Sequence, residues 1–268
     1  MKSLSTGIES LELAAARWLG VKVLAVPGEE YGVIMGQDFL RNEQGDVIIN
    51  ADSGLPEITS DMKKLGKATW DWTGGLTTTF RYKQFTLSAI FDIKVGADIY
   101  SMTARGLAKS GKAAYTVRGR DEWHKSEEQR LEAGVAEGNW QSTGGYVAEG
   151  VVKQVDAAGN VSWVKNTKAI APYDYWGYIC DKTASPFIYD NSYVKMRELT
   201  FGYTFPKKMI ERYVESLSVS FVARNPFIIY KNVPNIDPDS NYNTSAIGLE
   251  YGSLPSRRSF GLNVNIKF

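Results

Sequence analysis

Four oxygen-bearing side chains alternate near the end of the chain: Asn235, Asp237, Asp239 and Asn241. Such spacing can surround a calcium ion with oxygen ligands. An EF-hand loop would also need Gly at the sixth place and Glu at the twelfth, where this chain has Ser240 and Ala246. These residues therefore read as a turn, with calcium as the weaker alternative. The single Cys180 excludes an intrachain disulfide framework and a four-Cys zinc site. The single His124 leaves at most one imidazole for a triad or a metal, so both residues read as bystanders. Carboxylates are spread without a pair that would serve as acid and base, which argues against an enzyme. Gly32 with Gly36, and Gly74 with Gly75, fit no phosphate-cradling pattern and suit strand twist better. No cofactor is implied.

Aromatic residues offer a different chemistry. Trp123, Trp140, Tyr173, Tyr175 and Trp176 fall within one long connection. There they would stack on a glycan or meet a partner protein, or else pack the connection against itself, the commoner fate of such residues. The charge run Arg118, Arg120, Asp121, Glu122, Lys125, Glu127, Glu128 and Arg130 reads as a solvated helix flank. With 31 Lys+Arg against 30 Asp+Glu the net charge is +1, which gives no electrostatic reason to expect nucleic acid.

The elements that must position these residues are strands. Phe260, Leu262, Val264, Ile266 and Phe268 alternate with Gly261, Asn263, Asn265 and Lys267. Leu217 to Ala223 and Leu199 to Phe205 repeat the pattern, as does Phe85 to Val95. Gly74 to Tyr82 is a further strand, and only Lys83 and Gln84 separate it from Phe85, the mark of a tight hairpin. Tyr31 to Leu40 and Asp46 to Asn50 are weaker strands. Connections alternate between short (83–84, 206–215) and long (103–190, 231–255). Within the longest, Ser126 with Gln129 resembles a capping box and Gly134 a stop, which predicts a helix over Glu127 to Ala133. Val151 to Val155 and Val161 to Lys165 read as a small hairpin.

Alternation alone fits both a soluble β-sandwich, such as a surface glycan-binding module, and a membrane barrel. Three features favour the barrel: Ser, Thr, Gly and Asn on the polar faces, aromatics at the ends of the apolar faces, and strands of about 10 residues or more. No segment has the roughly 20 nearly uncharged residues of a transmembrane helix, and residues 1–7 carry no apolar leader. In lipid only a closed barrel pairs every backbone group of a set of strands. Six or seven clear strands would not close one, so the chain is expected to be a piece whose residue 1 is not a natural beginning.

The run Asn191 to Pro206, with Gly202-Tyr203-Thr204-Phe205-Pro206 at its end, resembles a late-barrel strand of SusC/RagA-type TonB-dependent transporters. So do Val219 to Tyr230, where Asn225-Pro226-Phe227 stands in place of the usual Asn-Leu-Phe, Asn235-Ile236-Asp237-Pro238-Asp239, and the closing Pro255 to Val264. Upstream, Pro27 to Gly32 with Gly36 resembles the family's Gly-rich strand before the hairpin, and Leu65 to Gly75 resembles the entry to the next strand. The likeness runs from about residue 3 to the end. It implies an all-β fold: an antiparallel meander forming the C-terminal part of a transmembrane β-barrel, about six to eight of roughly 22 strands. Residues 1–268 would be that portion, with 103–190 a long extracellular loop. It further implies a transporter for large nutrients such as glycans or peptides, in the outer membrane of a Gram-negative, Bacteroidetes-type bacterium. Its partners would be a SusD-like surface lipoprotein, the TonB complex and the lipid bilayer. Phe260, Leu262, Val264, Ile266 and Phe268 resemble the signal read by the barrel-assembly machinery.

Overall fold

The computed structural model describes residues 8–16, 20–241 and 247–268. Residues 1–7 and Ala246, which entered the readings above, lie outside that set, as does the side chain of Asn241. The chain divides into two compact units. One comprises 1–67, 100–188 and 245–252; the other comprises 68–99, 189–244 and 253–268.

The strands are β1 (Leu11–Ala16), β2 (Val21–Ala25), β3 (Tyr31–Gly36), β4 (Lys63–Lys67), β5 (Trp72–Tyr82), β6 (Phe85–Val95), β7 (Asp98–Ser101) and β8 (Tyr146–Val147). They continue as β9 (Val151–Val155), β10 (Val161–Lys165), β11 (Ala169–Ile170), β12 (Ile188–Asp190), β13 (Tyr193–Thr204), β14 (Ser216–Lys231), β15 (Leu249–Glu250) and β16 (Ser259–Lys267). The helices are α1 (Met102–Lys109), α2 (Arg120–Glu132), α3 (Pro172–Lys182) and the single-turn α4 (Lys207–Ile210).

The second unit is built on one antiparallel sheet in the order β16-β14-β13-β6-β5. Its register aligns apolar side chains in rows that cross all five strands. One row is Phe80, Leu87, Phe201, Phe221 and Leu262; the next is Tyr82, Phe85, Tyr203, Val219 and Val264. A third row, less bulky, joins Thr78, Ala89, Leu199, Ala223 and Phe260. The intervening rows are polar: Arg81, Thr86, Gly202, Ser220 and Asn263 form one, and the Thr79 and Ser88 hydroxyls meet at 2.9 Å in another. Since alternate residues of a strand face opposite sides, the sheet has one greasy and one polar surface. The greasy one is bare: Phe80 is 66% exposed and Leu262 76%. The hairpin turn sits where expected, and Lys83 takes the positive φ of 52° that tight hairpin loops require of their first residue.

Alternation does not run unbroken along β13. Met196 pairs with Phe91 and Glu198 with Ile90, which leaves Arg197 as an extra residue in a β-bulge. Apolar residues therefore occupy the greasy face at Met196 before the bulge and at Leu199, Phe201 and Tyr203 after it, and Tyr193, Lys195 and Arg197 turn to the polar side. On β14 the ladder skips from Arg224 to Phe227, with Asn225 at φ 46° and Pro226 in the gap. A residue without an N–H is tolerated there because no rung needs it.

The first unit is organised around its own core. Its sheet runs β1-β2-β3-β4 and buries Val21, Val23, Ala25, Val33 and Ile34. β1 and β2 are strands that the alternation did not single out. The strand expected over Tyr31 to Leu40 stops at Gly36, where an added Cβ would lie 2.8 Å from the Leu65 side chain. Asp46 to Asn50 forms no strand, only isolated bridges at Val47, Ile48 and Ile49. The hairpin of β9 and β10 has the expected bounds, closed by Asp156, whose Oδ1 accepts from the N–H groups of Ala158 and Asn160 at 2.9 and 2.8 Å.

Helix α2 corrects the capping-box reading. It begins at Arg120, six residues earlier than Ser126, behind Gly119 in a left-handed conformation (φ 84°). A Cβ at Gly119 would stand 2.6 Å from the Tyr146 backbone nitrogen, so the position has room only for glycine. The expected stop holds: Ala133 caps the helix and Gly134 follows at φ 65°.

Candidate functional site

The first unit holds a cavity of about 440 Å³ between the end of α1, the start of α2 and the start of α3. Trp123, Tyr173 and Trp176 line it, together with Lys109, Arg120 and His124. Each is placed by its helix. Pro172 opens α3, where its fixed φ suits the first turn and its missing N–H costs nothing, and this sets Tyr173 and Trp176 three residues apart on one side. Trp123 and His124 follow from the early start of α2 at Gly119.

Arg120 is held rigidly. Its Nε donates to the Thr116 carbonyl at 3.0 Å, and Nη2 donates to the Gly111 carbonyl at 2.6 Å and to Thr116 Oγ1 at 2.8 Å. Lys109 is paired with Asp181 at 2.6 Å, and Asp181 also takes Arg105 at 3.1 Å. The Trp176 indole Nε1 is buried without an acceptor among the described residues.

Of the five aromatic residues singled out from sequence, the fold brings together Trp123, Tyr173 and Trp176. Tyr173 is 80% exposed. Tyr175 points elsewhere, its ring tilted against Tyr146 at 4.2 Å between centroids, and burial pushes its phenol well above the ordinary range. Trp140 donates from Nε1 to Ser126 Oγ at 3.0 Å. Ser126 is thus a buried anchor inside α2, which also accepts from the Thr143 N–H at 3.0 Å. Arg120 was read as part of a solvated flank because it lay inside a charge run, and His124 as a bystander because it was a lone imidazole; three aromatics at helical spacing beside a Gly-Arg step was the available signal. Cys180 is buried in α3, and burial pushes its thiol up to about 11, which leaves it unreactive. At the other end of α1, buried Glu250 accepts from Ser101 Oγ at 2.9 Å, Thr103 Oγ1 at 2.9 Å and the Thr103 N–H at 3.1 Å, a carboxylate set on the helix N-terminus.

The second unit carries a polar cluster that sequence reasoning split apart. Buried Lys195 lies 3.0 Å from both oxygens of Asp237 and 2.7 Å from Asp239, and it contacts Ser256 Oγ. Arg197 reaches Asp239 Oδ1 at 2.9 Å and Asp92 at 3.0 Å, and the Tyr193 hydroxyl donates to Asp239 at 2.7 Å. Burial opposes charge on Asp239, yet the hydrogen bonds from Arg197, Lys195 and Tyr193 outweigh it and hold its carboxyl well below the usual range. Asp237 is lowered in the same way, with Ser256, the Asp239 N–H and Lys195 overcoming burial. Two fixed cations already occupy the space a calcium ion would need, so the calcium alternative fails. No group of three metal-ligating side chains exists among the described residues. The cluster pins the segment Asn235 to Asp239 to the polar face of β13.

The final strand is regular. Phe260, Leu262, Val264 and Ile266 lie on the greasy face of β16, paired with Ala223, Phe221, Val219 and Leu217, and Phe268 follows the last rung, almost fully exposed.

No family model matches the chain. The TonB-dependent receptor P3 of Formosa agariphila is 26% identical over 261 residues, which take in 90% of this chain and 22% of that receptor. Among solved structures, a chain of the RagAB peptide importer in its closed-closed state superposes with a TM-score of 0.56 at 14% identity, covering all of this chain and 26% of its own. A second RagAB peptide transporter structure gives a TM-score of 0.57 at 12% identity, with 25% of its length covered. The chain thus spans about a quarter of the length of these relatives, and it shares their all-β, antiparallel fold.

Proposed function

We propose that the chain belongs with the TonB-dependent transporters of the SusC/RagA type and supplies a five-stranded stretch of an outer-membrane transport barrel together with a loop domain. The supporting observation is the set of apolar rows running across β5, β6, β13, β14 and β16, bare on one surface and backed by Ser, Thr, Gly and Asn on the other. A water-soluble sheet of this size would cover that surface, because contiguous exposed apolar area is unfavourable in water. Lipid removes the penalty, and the polar side then faces an aqueous lumen.

In this reading the intact transporter imports large nutrients such as glycans or peptides, as the RagAB importers do for peptides. A SusD-like lipoprotein caps it, the TonB complex energises it, and the barrel-assembly machinery reads β16 through Phe268. The segment 103–190 is extracellular.

The test places single cysteines at 260 through 266 of the 268-residue chain, with Cys180 replaced by Ala, and attaches a polarity-sensitive fluorophore in lipid vesicles. Labels at 260, 262, 264 and 266 are expected to be quenched by brominated lipid, and labels at 261, 263 and 265 by aqueous iodide. Loss of that alternation would sink the proposal and favour the β-sandwich alternative.

A further inference from the structure

From the cavity of the first unit we infer that this loop domain binds a ring-bearing carboxylate. The volume of about 440 Å³ falls in the range of small-molecule pockets, roughly 300–1,000 Å³. Trp123, Tyr173 and Trp176 offer flat faces that a six-membered ring can stack on. The charged groups are both cations. Arg120 and Lys109 can only donate, and among the described residues no Asp or Glu lines the cavity.

Charge sharpens the choice. Lys109 is neutralised by Asp181, so it adds little net attraction. Arg120 has no carboxylate partner among the described residues. Its Nε and Nη2 are committed to Thr116 and Gly111, which fixes the guanidinium plane and leaves Nη1 to donate. A fixed guanidinium is suited to a carboxylate, and the hydrogen bond it would make is charge-assisted. His124 adds an exposed imidazole at the rim. A neutral ring would leave the Arg120 donor unmatched, and a carboxylate without a ring would leave the aromatic faces bare. Sugar acids and aromatic acids share this chemistry.

The inference extends the transport reading by naming a ligand class for the loop domain, but its test does not depend on membrane insertion. The intact chain in detergent is titrated calorimetrically with sodium glucuronate, sodium benzoate, methyl glucoside and sodium acetate. At least one ring acid is expected to bind about tenfold more tightly than methyl glucoside and acetate, the scale of one charge-assisted hydrogen bond. Glucuronate alone identifies a sugar acid, and benzoate alone an aromatic acid. Equal binding of methyl glucoside or acetate overturns the inference, as does failure of both ring acids to bind to a chain with native near-ultraviolet dichroism.

Arg120→Gln is expected to abolish the preference for the acid. That variant also loosens the 111–116 turn, so Tyr173→Ala, at an exposed position, provides the independent check. It is expected to weaken the ring acid several-fold while the dichroism is unchanged; unchanged affinity would count against the pocket. The alternating quench pattern of β16 is read separately, so failure of the ligand and failure of the barrel reading are distinguishable.

Discussion

The two units solve opposite problems with the same residue types. In the first, Val21, Val23, Ile34, Ile179 and Phe187 are turned inward and almost wholly buried, the arrangement water imposes. In the second, Phe80, Phe201, Phe221 and Leu262 are turned outward, and the buried side chains include Lys195, Asp237 and Asn191. Its small apolar core, Ile99, Val233 and Ile236 with Tyr189, lies off the main rows. The contrast teaches that hydrophobicity alone does not say where the inside is. The register decides, by collecting greasy residues on a surface that either meets protein or does not.

The largest effect is expected at the buried charges. Lys195→Met leaves Asp237 without its cation and should cost about 3–5 kcal/mol, measured by denaturant unfolding of the sheet. Adding Asp237→Asn should recover part of that loss; if the double variant is no better than the single, the pair is not the unit of stability. A truncation in each region sharpens the contrast. Ile34→Ala opens a cavity in the first unit and should cost about 2–5 kcal/mol. Leu262→Ala, on the bare surface, should cost less than about 1 kcal/mol in detergent, where it leaves no enclosed void.

Comparable in size but specific to lipid is the response to charge. Leu262→Arg should destabilise the folded chain in vesicles by about 2–4 kcal/mol, whereas Asn263→Arg one residue away should stay within about 1 kcal/mol. Equal costs at 262 and 263 would break the comparison. The smallest effect concerns acid. Asp237 and Asp239 are held below their ordinary carboxylate range, so their contribution is complete above the unfolded value of about 4 and fades as pH falls below it. Acid titration of the wild type should show that loss, and Asp239→Asn should reduce it.

Much of the sheet could be read in advance because a period of two is a local signal. The hairpin at Lys83 and Gln84, the span Phe85–Val95, and the last strand to within a residue all follow from it. What resisted reading was non-local. β1 and β2 carry Glu12 and Lys22, which pair with each other at 3.4 Å across the two strands and blurred the pattern until that pairing was known. Ser126 resembled a cap because Gln129 stood three places on, yet the helix start was fixed by the tight approach of Gly119 to Tyr146. Three of five aromatics converge on the cavity, but Arg120, which gives it polarity, is visible only once Thr116 and Gly111 close around it. Lys195 and Asp237 are 42 positions apart, and neither hints at the other.

The surplus residue at 197 has a reach beyond its own position. By stepping the strand once, it lets β13 send three successive odd-numbered polar groups inward at one end and keep its odd-numbered oily groups outward at the other. A single strand thereby carries both an anchor for a distant segment and a continuous outer coat, and deleting that one residue would turn Tyr193 and Lys195 onto the oily side.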